Sequence, residues 1–344
     1  MEPRISRRAL LVTTAAAAAS VALPAALVAA DPATKPTGAW KGIHLSAYGG
    51  RGLVQLAGQI PKLAGMGLNT LIVEVGYAFD FRSHPELSDG GNISAKQAKS
   101  LSATCREHHV RLIPGFDCLG HQSWSKTTMP LLKKYPEFDE TPGQFPGNKG
   151  IYCRSWCPRH PKVNETVFAL LDELVDAFDS DAIHVGMDEV FIISSEFCPR
   201  CKGTSPADSF ALAVNDLHDH VVGKRKLEML MWGDRFVDGK ATRYGKWEAS
   251  ENGTFPAIDK VPKDIVLCDW HYEKRDDYPS IAQFLKKGFR VWPCGWKDVA
   301  ATKALMSAEH KNASPRMLGH LCSTWGSVSI DKLAEWPPVV EGLG

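Results

Sequence analysis

Beyond residue 39 the chain alternates between two kinds of segment. Short apolar runs of β type occupy Gly42–Ala47, Asn69–Tyr77, Arg111–Phe116, Ala182–Met187, Leu227–Trp232, Ile265–Trp270, Phe289–Pro293 and Met317–Thr324. Between them, apolar residues recur at helical spacing over Leu53–Met66, Ser94–His109, Lys162–Phe178, Pro206–Val222, Ser280–Lys287 and Val299–Lys311. Ser94 is a capping residue ahead of its helix, and Pro206 suits a first helical turn. Eight strands alternating with helices predict an α/β fold of the (β/α)8 TIM-barrel type. An open doubly wound sheet would alternate in the same way, but the first strand is not followed by a glycine-rich phosphate loop. The closing stretch "DKLAEWPPVVEGLG" reads as a last helix shortened by Pro337 and Pro338.

The pattern changes character before residue 40. Ser6-Arg7-Arg8 precedes an uncharged, alanine-rich run that ends in Val28-Ala29-Ala30. Residues 1–30 are therefore expected to be a twin-arginine export signal, removed before Asp31. Alanine drives membrane insertion weakly and Pro24 interrupts the run, so an anchor is the lesser reading. Residues 31–39 form a short Pro/Thr-rich stub, and residues 40–344 show no linker, which implies one domain. The expected location is periplasmic or extracellular, with no membrane attachment once the signal is gone. Forty basic and 39 acidic residues leave a net charge of +1, too balanced for a nucleic-acid or anionic-membrane surface. Ten tryptophans suit a neutral, sugar-like substrate as well as a core.

A barrel of this kind puts its chemistry at the C-terminal ends of its strands. Polar and aromatic residues collect there: Asp117 and His121, Asp188 and Glu189, Asp234, then Asp269, His271 and Tyr272, with Trp296 and Trp325 after the last two runs. Alternation along the fourth run turns His184 and Asp188 into the barrel, while Ile183, Val185 and Met187 face the helices. Glu189 lies where the strand ends. Two adjacent carboxylates in a partly apolar site do not ionise alike, and a carboxylic acid that keeps its proton can protonate a glycosidic oxygen. Neighbouring residues cannot flank one bond from opposite sides, so the two acids should have different tasks.

His184-Val185-Gly186-Met187-Asp188-Glu189 resembles the H-x-G-x-D-E hallmark of glycoside hydrolase family 20, the β-N-acetylhexosaminidase group. Ile113 to His121 is similar to that family's I-P-E-x-D-x-P-G-H, and Met231-Trp232-Gly233-Asp234 to its fifth strand. The likeness runs from about Trp40 to Trp325. It implies a retaining glycosidase in which the substrate's own 2-acetamido oxygen attacks the anomeric carbon. By the same resemblance, Glu189 is the general acid and base, and Asp188 steadies the acetamido group. His121, paired with Asp117, would support the acid. Trp232, Trp270 and Trp325 would box the acetamido methyl, and Tyr272 would bond its oxygen, with His184, Asp234 and Lys41 completing the substrate-binding set. The implied substrate is an oligosaccharide or glycoconjugate, and the catalytic step requires no cofactor.

Several positions depart from the family pattern. Lys41 stands where an arginine is usual and lacks its bidentate fork. Gly115 replaces a glutamate, Leu119 a proline, and Gly326-Ser327 an expected acid. These changes keep two other readings open: a sugar-binding protein on a decayed barrel, and a metal-dependent hydrolase built on Asp117, His121, Asp188 and His271. The nine cysteines include Cys153-x3-Cys157 and Cys198-x2-Cys201. Those four could hold a structural zinc ion or form disulfides that brace the loops over the site.

Overall fold

The computed structural model describes residues 35–47 and 49–344. The expected export signal and residues 31–34 of the stub lie outside the described residues. Eight parallel strands close into a barrel: β1 (Trp40–Ser46), β2 (Thr70–Glu74), β3 (Arg111–Cys118), β4 (Ala182–Gly186), β5 (Glu228–Trp232), β6 (Val266–Trp270), β7 (Arg290–Gly295) and β8 (Gly319–Ser323). Each pairs with its sequence neighbours, and β1 closes the ring on β8 from Trp40↔Gly319 to His44↔Ser323. All eight apolar runs are strands of this barrel, with ends shifted by up to a few residues: β1 starts two residues earlier and β3 and β7 end two residues later than expected. The doubly wound alternative is excluded because an open sheet has two unpaired edges.

Helices cover the outside: α1 (Gly50–Gly65), α2 (Ala95–Glu107), α3 (Val163–Phe178), α4 (Pro206–His218), α5 (Pro279–Lys286), α6 (Val299–Lys311) and α7 (Pro337–Leu343). In α1 the buried Leu53, Leu56, Ile60 and Leu63 recur every three to four residues and press one stripe onto the sheet. Ser94 caps α2 by accepting the Gln97 N–H, while the Gln97 side chain accepts the Ser94 N–H, a reciprocal pair that satisfies two otherwise free donors. The two prolines near the end start a helix rather than cut one short. Pro337 and Pro338 occupy the first turn of α7, where no backbone donor is needed. Between β5 and β6 there are only short helical turns, in a stretch punctuated by Gly239, Gly245, Gly253, Pro256 and Pro262.

Two cores result from the alternation of side chains. Residues such as Ile183, Val185 and Met187 join the layer between strands and helices. Trp40, Ile113, Leu230, Trp232, Trp292 and Leu321 fill the barrel interior. Below this filling, Arg111 is fully buried and bonds Asp181 at 2.8 Å and Glu228 at 2.7 Å, so the bottom of the barrel is plugged by paired charges. Burial opposes the Glu228 carboxylate, but Arg111, Lys35 and Arg290 outweigh it and hold its pKa at about 2.

Gly42 marks the tightest point of the interior. A Cβ there would overlap the Trp292 ring and come within 2.9 Å of a Leu321 methyl. Gly42→Ala should lower stability by about 3 kcal/mol. Chemical denaturation checks this, and an unchanged midpoint would mean that Trp292 can move aside.

Candidate active site

The site begins where β4 stops. Gly186 (φ 65°), Met187 (φ 75°) and Glu189 (φ 49°) all have left-handed backbone, so the chain turns sharply out of the strand. Non-glycine residues enter this region at a cost that surrounding structure must over-determine. Gly186 is required for a second reason: a Cβ would sit 2.7 Å from Asp117 Oδ1 and 2.8 Å from Asp117 Cα. The β3–β4 register also shifts between Gly115 and Cys118. This irregularity lets β3 bring Asp117 and His121 beside the two acids.

A cavity of about 600 Å³ opens at this end of the barrel. Of the expected residues, Asp117, His121, Asp188, Glu189, Trp270, Tyr272 and Trp325 line it. Trp270 and Tyr272 stack with ring centroids 4.8 Å apart, as their two-residue spacing predicts. Trp325 donates its indole N–H to the Tyr272 hydroxyl at 2.5 Å, which leaves the phenol proton free to point elsewhere.

His121 lies between the acids, with Nε2 3.2 Å from Asp188 Oδ2 and 3.4 Å from Glu189 Oε2. Burial works against its cation, yet the Asp188 and Glu189 carboxylates prevail and raise its pKa well above the ordinary value. Asp188 is buried, and that burial raises its own pKa against the pull of His121. Its second oxygen, Oδ1, is buried without a hydrogen-bond partner among the described residues. The expected His121–Asp117 pair is therefore replaced by His121 contacts to Asp188 and Glu189. Asp117 instead faces Glu74, and burial followed by repulsion from Glu74 pushes it up to about 8. Glu74 is likewise raised by burial. Next to it His44, with Nε2 3.2 Å from Glu74 Oε2, is pushed down to about 4 by burial despite the nearby acids.

Other expected residues are found elsewhere. His184 and Trp232 are buried beneath the cavity, their rings 4.7 Å apart, and both pack on His44. Asp234 does not line the cavity either. Its Oδ2 accepts the Glu189 backbone N–H at 3.0 Å and the Arg235 Nε–H at 2.6 Å, so it positions the acid's backbone. Arg235 in turn donates to the carbonyls of Lys246, Trp247 and Ala249 and fixes the next loop. Lys41 is a correction. It sits at the opposite end of β1, where Nζ donates to the carbonyls of Leu343 and Gly344, too far down the strand to meet a sugar in the cavity. His271 belongs to a separate buried network with Glu248, Ser280 and Asp269, so the four-residue metal set is not assembled. Cys153 also stands apart from the other three cysteines, its thiol 3.6 Å from the Glu189 carbonyl.

Trp296, expected at the seventh strand end, also lines the cavity, and the structure adds Ser46, Glu74 and Tyr152. Glu74 carried the signal used for Asp188, an acid within an apolar run, at one of the two strand ends where no polar residue was sought. Tyr152 lies in a long loop and carried no such signal.

A barrel with paired acids, a bridging histidine and an aromatic wall at its C-terminal face defines the class: a glycosidase-type (β/α)8 domain. The profile of the glycosyl hydrolase family 20 catalytic domain matches residues 59–329, and the chain belongs to that family. A β-hexosaminidase of Vibrio furnissii is 22% identical over 241 residues, covering 62% of this chain and 37% of that protein. The Flavobacterium johnsoniae chitobiase structure has a TM-score of 0.66 at 17% identity, over 90% of this chain and 48% of that one. An exo-β-N-acetylglucosaminidase structure from Vibrio harveyi, complexed with N-acetylglucosamine, gives 0.65 at 17% identity over 90% and 54%. The chain thus spans about half or less of these relatives' lengths.

The raised Asp117 pKa has a defined effect on stability. The folded state keeps its proton up to about pH 8, whereas the unfolded chain releases it near the ordinary value of 3.8. The protonated group's contribution is complete below pH 3.8 and declines as pH rises to about 8. Relative to Asp117→Asn, the wild type should therefore lose stability steadily between pH 4 and 8 and then level off. Denaturation midpoints of both proteins across that range provide the check, and a constant difference would count against the assignment.

Proposed function

We propose that this protein removes terminal β-linked N-acetylhexosamine from oligosaccharides or glycoconjugates, with the substrate's acetamido group as nucleophile. The observation that carries this reading is the unpartnered Asp188 Oδ1 beside the cavity. An acceptor of this kind calls for an N–H donor, and an acetamido N–H supplies one without adding charge. Held there, the acetamido carbonyl turns toward the anomeric carbon, and the free Tyr272 proton is available to its oxygen. Trp270, Trp296 and Trp325 offer apolar walls for the methyl group and ring face.

In the first step the acetamido oxygen bonds to the anomeric carbon as the glycosidic C–O bond breaks. Glu189 gives its proton to the departing oxygen. The bicyclic intermediate carries positive charge, which the Asp188 carboxylate offsets. In the second step Glu189 takes a proton from water, and the resulting oxygen attacks the anomeric carbon from the side the leaving group left, reopening the ring. Two displacements give net retention. His121 holds both carboxylates in place through this exchange.

Export by the twin-arginine route is part of the same reading, supported by Arg7-Arg8 and the uncharged run that follows. It would put the work on extracellular or periplasmic glycans.

Turnover of aryl N-acetylglucosaminide and N-acetylgalactosaminide tests the proposal. Glu189→Gln should reduce kcat about a thousandfold, and less for a phenolate leaving group that needs no proton. Asp188→Asn should reduce kcat about a hundredfold with a smaller effect on KM. Sugar binding without turnover by the wild type would overturn the hydrolytic reading in favour of a binding protein.

A further inference from the structure

Away from the cavity, three thiols and one carboxylate meet inside the protein. Cys157 Sγ is 3.3 Å from Cys201 Sγ and 3.4 Å from Cys198 Sγ, and with a Glu140 oxygen the four donor atoms lie within 4.8 Å of one another. All four residues are buried. A disulfide needs sulfurs about 2.05 Å apart, so these are separate thiols. Four donors around zinc at Zn–S of about 2.3 Å would set sulfurs about 3.7 Å apart, close to what is seen.

The carboxylate points the same way independently. Glu140 Oε1 accepts the Ser195 N–H at 2.9 Å, but Oε2 is buried, faces the sulfurs and has no N–H or O–H donor among the described residues. A buried carboxylate oxygen with no donor is costly, and a cation is the partner the donor set fits. The backbone prepares the site as well. Cys198 and Cys201 lie in a turn where Lys202 N–H bonds the Cys198 carbonyl and Thr204 N–H the Cys201 carbonyl, which folds the C-x2-C pair onto one side.

We propose that Glu140, Cys157, Cys198 and Cys201 form a structural zinc site. With four protein donors it is closed to substrate, so its role is mechanical. Glu140 and Cys157 belong to the loop after β3, which carries Tyr152 at the cavity wall. Cys198 and Cys201 belong to the loop after β4, which carries Glu189. The ion fastens these two loops together behind the acid. The expected Cys153-containing set is corrected, because Cys153 lies on the extended segment that leads away toward Glu189.

Elemental analysis of the purified full-length protein should find about one zinc per chain, released when a thiol reagent modifies the cysteines. Alkylation of the denatured, unreduced protein should then label all nine cysteines. Cys153→Ser should retain the full zinc content, whereas Glu140→Gln should bind zinc at least tenfold more weakly in chelator competition. A chelator strong enough to strip the metal should lower the Tm, and added zinc should restore it. A Cys157–Cys201 or Cys157–Cys198 disulfide in the peptide map of metal-free protein would overturn the proposal. Zinc that is lost in Cys153→Ser but kept in Cys157→Ser would overturn it too.

Discussion

One imidazole between two carboxylates is the contact on which the site depends. Without the His121 ring, whose Nε2 lies 3.2 and 3.4 Å from the Asp188 and Glu189 oxygens, two adjacent acids would repel each other in a cavity walled largely by aromatic rings. The surrounding structure serves to hold that contact. The β3–β4 register shift brings His121 across, the left-handed turn after Gly186 swings Glu189 around, and Asp234 anchors the Glu189 backbone from β5. Each device comes from a different strand end, and a closed barrel is what makes those ends converge.

The fold was readable because strand and helix periods are written locally. Every barrel strand is a short apolar run, and every long helix carries its own stripe. The division of β4 into helix-facing Ile183 and Val185 and inward His184 follows from alternation alone. What one strand end does to another was less readable. Asp234 follows a strand like the other acids, yet it turns to the Glu189 backbone and Arg235 rather than to the cavity, and no single-chain pattern records that choice. Lys41 was misplaced because likeness to a motif position says nothing about which end of the strand a side chain serves.

The cysteines show the same limit in another form. Cys153 and Cys157 are four residues apart on irregular chain, where that separation can reach up to about 13 Å, so nearness in sequence misleads. Cys198 and Cys201 are three apart in a turn, where nearness in sequence is also nearness in space. Glu140 entered the cluster from seventeen positions before Cys157, and only folding reveals it.

Glu74, Asp117 and Asp188 share their surroundings with His44 and His121, and protonation of any one changes the field at the others. Such a group titrates collectively. The acid and alkaline limbs of its activity profile would belong to the ensemble of proton arrangements, and replacing Glu74, which the proton-transfer scheme never uses, would displace both.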